Sequence, residues 1–234
     1  MEGCRLPRMT FDLYAYLLLG LFFFVLWTTC FTLRPDLRSM MLRVSLVGAI
    51  AGPLSELWYF HDYWSPPTLV GQGVVSPEDV LFGFAVFGVA VAALPVITGI
   101  RFAVTEKPCP AVLPLFIASF FVGFVVLTDV FGINSIIAAS LVMVLWTIGM
   151  LSRRPTMFML SLGSGLLLAA FSVVIYVVLL GIATEYLSRY WFLWGTPLGL
   201  TVLGGVPVTE IVWYFCLGVS AAVLAPYAEG KCVV

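Results

Sequence analysis

The sequence has little charge. Of its 234 residues only 10% are Asp, Glu, Lys or Arg, whereas a soluble domain carries about 25%. Hydrophobic residues make up 62% of the chain, which is more apolar surface than a water-soluble fold of this length can bury. The net charge of −1 leaves no excess of basic residues to bind phosphate groups. We therefore expect an integral membrane protein with no nucleic-acid partner.

The residues that usually hold metals and nucleotides are also scarce. His61 is the only histidine, and the five cysteines are scattered and never in C-x-x-C spacing, which argues against a zinc site or a disulfide framework. The stretch GQGVVS at 71–76 lacks the third glycine and the preceding strand of a dinucleotide site. We expect no metal and no cofactor.

What the chain does have is a succession of long apolar runs. A bilayer requires about 20 apolar residues per helical span, and Tyr14–Trp27 is too long for a signal peptide and lacks a clear cleavage site. We predict an all-α integral membrane protein, multi-pass in the cell membrane, with about seven transmembrane helices. The predicted spans are 11–32, 40–60, 78–103, 111–131, 134–152, 156–182 and 206–227.

The positive charges predict the orientation. Lys and Arg favour the cytoplasmic ends of membrane helices. With the N-terminus outside and the C-terminus cytoplasmic, eight basic residues lie at cytoplasmic ends and only Arg5, Arg8 and Arg189 lie outside. The connections 61–77 and 183–205, which are rich in Trp, Tyr, Gly and Pro, then lie on the outer face, where such aromatic side chains are favoured.

The chain also shows an internal repeat. When Asp79 is aligned with Glu210, several rarer residue types coincide without a gap: Pro66 with Pro197, Gly73 with Gly204, and Pro95 with Pro226. We predict a parallel 3+1+3 repeat. It comprises a first three-helix unit at 1–104 with the motif at 76–82, a linker helix at 105–133, and a second three-helix unit at 134–234 with the motif at 207–213. Repeats of this kind place shared sites between the two halves.

Acidic residues within the predicted spans are the candidate functional groups. An ionised carboxylate in hydrocarbon costs on the order of 2.5–3.5 kcal/mol, so such a group is expected to face the interior of the bundle, where burial favours its neutral form. Glu78 and Asp79 lie near the start of the third span and Glu210 starts the seventh. The alternative is that these acids only cap helix starts.

Glu56 differs because aromatic residues surround it. Aromatic faces attract cations, by about 2 kcal/mol or more when water is excluded, so an acid among them can generate and shelter a carbocation. The alternative is an interfacial aromatic belt with one acid in it. We expect the substrate to contact six aromatic side chains: Trp58, Tyr59, Tyr63, Trp64, Phe82 and Trp213. Asp129 is interpreted as a turn-capping acid.

Two segments resemble a known family. SPEDVLFGF, which begins at Ser76, resembles the P-x-E-E-x-x-F-F motif of the lycopene cyclase domain family, the membrane-embedded, non-flavoprotein carotenoid cyclases of archaea, bacteria and fungi. PVTEIVWYF, which begins at Pro207, resembles a second copy, and two tandem copies are the layout of that family. The chain departs from the motif at three positions, where Ser76 replaces proline and Asp79 and Thr209 replace glutamate.

The resemblance implies a lycopene β-cyclase type of enzyme, an intramolecular lyase or isomerase of carotenoid biosynthesis. Such an enzyme needs no cofactor, and its partners are a carotenoid or other prenyl lipid and the bilayer. Carried onto this chain, the catalytic residues are Glu78, Asp79 and Glu210, with Glu56 stabilising a cation. Which acid donates the proton and which accepts it stays open.

Three other functions were weighed. The enzyme could be a terpenoid cyclase acting on another polyprenyl substrate. The chain could be a small-solute transporter of the 3+1+3 repeat type, although no polar stripe crosses the spans, or a carotenoid-binding subunit without activity. A rhodopsin is excluded, because Lys107 and Lys231 both lie away from the middle of a span and could not hold retinal there.

Overall fold

The computed structural model describes residues 9–71 and 73–234, and the chain is mostly helical. Within these residues, seven helices are long and apolar enough to cross a membrane. The prediction of an all-α, multi-pass membrane protein is thereby confirmed. The placement of Arg5 and Arg8 on the outer side falls outside the described residues.

The helices begin and end close to the predicted spans. Their bounds are α1 Met9–Leu33, α2 Arg38–Asp62, α3 Pro77–Thr98, α4 Val112–Val125, α5 Ser135–Arg153, α6 Phe158–Ile182, the short α7 Tyr186–Tyr190, and α8 Val208–Glu229. A single π-helical turn, Val126–Val130, continues α4. The predicted third span ran to residue 103, which is wrong, because Gly99 adopts a left-handed φ of 73° and ends α3.

Short strands occupy some of the connections. Strand β1, Phe102–Val104, follows α3 and pairs antiparallel with β4, Lys231–Val233, at the C-terminus. Strand β2, Thr201–Val202, pairs with β3, Val206–Pro207, directly before α8. The β1–β4 pair therefore joins the ends of α3 and α8.

Helices α3 and α8 form the centre of the bundle. Helix α3 packs against α1 and α2, α8 packs against α5 and α6, and the two also touch each other. Glycine permits the close approach of α2 to α3, because a Cβ on either Gly48 or Gly83 would collide with the backbone of the other helix. Gly165 of α6 and Gly218 of α8 meet in the same way. The central helices carry Asp79 and Glu210 in their first turns.

Two arginines hold the opposite ends of the central helices. The Arg34 guanidinium donates to the carbonyls of Pro95 and Ile100, at 2.6 and 2.8 Å. The Arg154 guanidinium donates to the carbonyls of Pro226 and Lys231, at 3.3 and 3.2 Å. The Pro95 and Pro226 carbonyls also accept from the N–H groups of Gly99 and Gly230, so each guanidinium ties the end of its helix to the residue that follows it.

The two long connections pair with each other. Segments 63–65 and 190–192, which we call the clasp, are joined by two backbone hydrogen bonds, from Ser65 N to Tyr190 O at 3.0 Å and from Phe192 N to Tyr63 O at 2.9 Å. The Arg189 guanidinium pairs with Asp12 at the start of α1, 2.9 Å away. The Asp62 carboxylate accepts from Ser135 N at the start of α5, at 2.7 Å. Each connection is thereby anchored to the other half of the chain.

Candidate functional site

A cavity lies beneath the clasp, within the bundle. The space among its lining side chains amounts to about 850 Å³, part of which is open to the surroundings of the bundle. Two acids line it, Glu56 from α2 and Glu210 from α8. Across residues 9–71 and 73–234, no lysine, arginine or histidine contributes to its wall. The site is thus an apolar chamber whose ionisable groups are carboxyls and phenols.

Aromatic side chains form most of the wall. Five of the six aromatic residues expected at a substrate site line the cavity: Tyr59, Tyr63, Trp64, Phe82 and Trp213. The Trp213 indole donates to the Tyr59 hydroxyl at 3.0 Å, and the Trp213 ring stacks on Phe82. The sixth, Trp58, turns away toward α4, where its indole donates to Asp129 at 3.3 Å.

Glu210 lies at the junction of the cavity and the clasp. It is the third residue of α8 and 7% exposed. Its carboxylate accepts a hydrogen bond from the Tyr63 hydroxyl. Burial and the neighbouring Glu210 charge raise the pKa of Tyr63 well above the usual range of a phenol, so Tyr63 keeps its proton and acts as the donor. The start of a helix also favours an ionised carboxylate.

Glu56 lies in the C-terminal half of α2 and is equally buried, with 7% exposure. It shares the cavity wall with Tyr59, Trp64 and Glu210, and the Asp79 carboxyl is also in its surroundings. In the part of the chain that the structure describes, no tyrosine hydroxyl donates to Glu56. Glu56 and Glu210 therefore face the same chamber in different surroundings.

Asp79 is engaged in the local fold. Its carboxylate accepts hydrogen bonds from the backbone N–H and the hydroxyl of Ser76, which form a capping box at the start of α3. The Tyr16 hydroxyl donates to the same carboxylate at 2.7 Å. Tyr16 lines the cavity whereas Asp79 does not. Asp79 thus makes the contacts of an acid that caps a helix start, which is the alternative that the sequence analysis gave for it.

Glu78 points away from its neighbour, because successive residues on a helix are rotated by about 100°. Its carboxylate accepts from the Leu69 backbone N–H at 2.7 Å, and its other oxygen is buried without a partner. Glu78 does not line the cavity. The adjacent acids Glu78 and Asp79 therefore do not face the cavity together.

Three tyrosines of the site were not predicted. Tyr16, Tyr176 and Tyr214 line the cavity, and Tyr176 flanks the Glu210 carboxylate. The Tyr214 hydroxyl is buried without a hydrogen-bond partner. The sequence could have indicated them, because a tyrosine in the middle of an apolar span carries a hydroxyl that favours the interior of the bundle over the lipid.

The seam between α2 and α4 offers a way in from the lipid. These helices touch only lightly, and α4 is the least buried of the spanning helices. Three half-exposed lining residues come from these two helices: Ala51, Ile117 and Phe121. We infer that the cavity opens sideways here.

Fold and site together define a multi-pass membrane protein with an acid-bearing aromatic chamber inside its helical bundle. Comparison of the chain with protein-family models, with curated proteins and with solved structures gave no match. The site and the motifs of the chain are therefore the features that indicate a function.

Proposed function

We propose that the protein is a carotenoid end-group cyclase of the lycopene cyclase type, located in the cell membrane. It acts on a linear polyene dissolved in the lipid and closes a six-membered ring at its end. The observation that carries the proposal is the chamber itself, in which Glu56 and Glu210 face one aromatic space without a cationic side chain. The motifs SPEDVLF and PVTEIVW support the same assignment by resemblance.

The chemistry needs only an acid, a base and a dry aromatic cavity. A proton added to the terminal double bond produces a carbocation, the next double bond attacks it to close the ring, and a base removes a ring proton. Such acid–base work requires one protonated and one ionised group. The rings of Phe82 and Trp213 can stabilise the intermediate cation through their faces. Atoms and electrons balance, so no redox cofactor is needed.

A transporter for a hydrophilic solute fits the site less well. Such a solute would need hydrogen-bonding groups along its path, whereas this cavity is lined mainly by aromatic and aliphatic side chains. A cyclase of another polyprenyl chain is the second candidate. It would use the same chamber, because an apolar wall favours hydrocarbons in general and does not distinguish one from another.

We further propose that the two halves are parallel repeats, 1–104 and 134–234, separated by the linker 105–133. Helices α2 and α6 are both 25 residues long, and α3 and α8 are both 22. Each half has an arginine before a proline-initiated 3-10 turn, a left-handed glycine after its central helix and a Tyr-Trp pair in its clasp segment. A duplicated origin accounts for these matches.

The proposed orientation places the clasp outside and the β1–β4 pair in the cytoplasm. Basic residues gather at the end of the bundle remote from the clasp: Arg34, Arg38, Arg101, Lys107, Arg153, Arg154 and Lys231. Positive charge of this kind is retained on the cytoplasmic side of a membrane. The N-terminus is then outside and the C-terminus inside.

The test is expression in a host that accumulates lycopene, with the pigments separated by chromatography. We expect cyclised carotenoids with the unaltered chain and with Glu185→Gln, a control at an exposed acid. The double variant Glu56→Gln/Glu210→Gln should leave lycopene unchanged. Intact lycopene beside folded, unaltered protein contradicts a lycopene cyclase, and cyclisation by the folded double variant contradicts the acid assignment.

A further inference from the structure

The two cavity acids have different surroundings, and their roles follow from that difference. We propose that Glu56 is the proton donor, that Glu210 is the base, and that Tyr63 is the positioning residue that maintains this division. The inference rests on the proposed cyclase function and deepens it.

Of the two cavity acids, Glu210 is the one whose contacts favour the carboxylate form. It accepts the Tyr63 hydroxyl, and a hydrogen bond donated to a carboxylate favours the ionised form. As the third residue of α8 it also lies among the unpaired N–H groups at the start of a helix, where negative charge is favoured. An ionised, oriented carboxylate is suited to accept a proton.

Glu56 is built to stay protonated. It lies away from a helix start and, within the described residues, accepts no phenol hydrogen bond, and its surroundings include two other acids, Asp79 and Glu210. Asp79 accepts hydrogen bonds from Ser76 and Tyr16, which favour its ionised form. A like charge nearby and an apolar wall both favour the neutral form of a carboxyl group. A protonated carboxyl facing the cavity is suited to donate.

In the proposed cyclisation, Glu56 and Glu210 together account for the proton that is added and the proton that is removed. The Glu56 O–H bond breaks as its proton forms a C–H bond with the terminal alkene carbon, which leaves a tertiary cation. The neighbouring alkene closes the ring, and Glu210 takes a ring proton as the electrons of that C–H bond form the new ring double bond. The proton then returns from Glu210 to Glu56, directly or through a water molecule, because the net reaction is an isomerisation.

The test separates proton donation from proton removal by product analysis. Membranes containing the protein are mixed with lycopene in vesicles and D₂O buffer. Glu56→Gln should lower lycopene consumption at least about a hundredfold, which is the lower end of the usual contribution of general acid–base catalysis. Glu210→Gln should still consume lycopene, but its deuterated products should shift toward other ring-alkene isomers and a hydroxylated ring, since the cation persists until another base or water reaches it.

Tyr63→Phe tests the positioning role without removing either acid. It should shift the products in the same direction as Glu210→Gln, whereas a purely structural role would lower the rate and leave the product ratio unchanged. Tyr14→Phe, at an exposed tyrosine, is the matched control and should leave both quantities unchanged. Thermal unfolding in detergent verifies that each variant is folded.

Failure of this inference differs from failure of the function. If the unaltered chain leaves lycopene intact, the cyclase proposal itself is wrong. If the unaltered chain cyclises lycopene, the division of roles is overturned by a folded Glu210→Gln that consumes none, by a folded Glu56→Gln that keeps more than about a tenth of the rate, or by a Tyr63→Phe with an unchanged product ratio.

Discussion

Two phenol–carboxyl contacts mark the starts of the central helices. Tyr16 donates to Asp79 and Tyr63 donates to Glu210, yet only Glu210 faces the cavity. The reason lies in the residue that precedes each helix. Ser76 offers α3 a backbone N–H and a hydroxyl, and Asp79 binds both. Pro207 precedes α8 and has neither donor, so Glu210 is free of the capping box.

The Tyr16 contact leads to a prediction about stability. Tyr16→Phe removes a buried donor to Asp79, and hydrogen bonds to charged groups contribute about 1.5–3 kcal/mol. The free energy of unfolding should fall by about that amount, measured by chemical denaturation in mixed micelles. Tyr14→Phe, at an exposed position two residues earlier on the same helix, should change it little. Equal effects of the two substitutions would contradict a role for the Tyr16 hydrogen bond.

At the scale of elements, the contact of α2 with α3 sets the position of Glu56 relative to Asp79 along the bundle. The two backbones approach at Gly48 and Gly83, where neither helix has room for a Cβ. Close approach through small residues replaces the hydrophobic driving force that helices lack in lipid. A shift of either helix would therefore change the separation of the acids as well as the stability of the bundle.

Gly48→Ala tests this contact. The added methyl group would overlap the backbone oxygen of Gly83, and overpacking of this kind usually costs about 1–3 kcal/mol. We expect a lower thermal unfolding temperature in detergent. Gly149→Ala in α5 is the matched control, because a Cβ there meets nothing within 4 Å and alanine is the better helix former. A Gly48→Ala protein as stable as the Gly149→Ala protein would contradict the tight contact.

Hydropathy predicted the helices well because the bilayer imposes their length. It extended the third span too far, since the apolar residues Phe102–Val104 continue the hydrophobic run after Gly99. Pairing of β1 with β4 is a contact between distant parts of the chain and leaves no local signal. The acids were identified because a charged group in lipid has a high free energy. Their different surroundings could not be predicted, because the hydrogen-bond donors to Asp79 and Glu210 include Tyr16 and Tyr63, which are distant in the sequence.

At the scale of the whole molecule, the two halves meet at both ends of the bundle. The clasp joins them at one end, and the β1–β4 pair joins them at the other. Asp12 with Arg189 and Asp62 with Ser135 add contacts across the halves. The cavity lies between the clasp and the β1–β4 pair. Both halves of the chain therefore contribute to its wall, and neither encloses it alone.

The proposed orientation can be measured with a thiol reagent that does not cross membranes. A variant that keeps Cys109, an exposed residue, as its only cysteine should be labelled after the cells are opened and not before. Leu198 lies at the opposite end of the bundle, in the connection 183–205, and is also exposed. A Leu198→Cys variant of a cysteine-free chain should be labelled in intact cells. The reverse pattern would place the clasp in the cytoplasm.

The clasp has a consequence for the proposed cyclase activity. Because Tyr63 and Trp64 line the chamber on the side of the clasp, a hydrocarbon substrate of the kind proposed would enter from the lipid between α2 and α4, by diffusing in two dimensions. The quantity that governs occupancy is then the mole fraction of ligand in the bilayer. Adding empty lipid at a constant total amount of this substrate should dilute it and slow the proposed reaction, whereas adding water should leave the rate unchanged. The substrate concentration in a kinetic experiment should therefore be expressed as moles of substrate per mole of lipid.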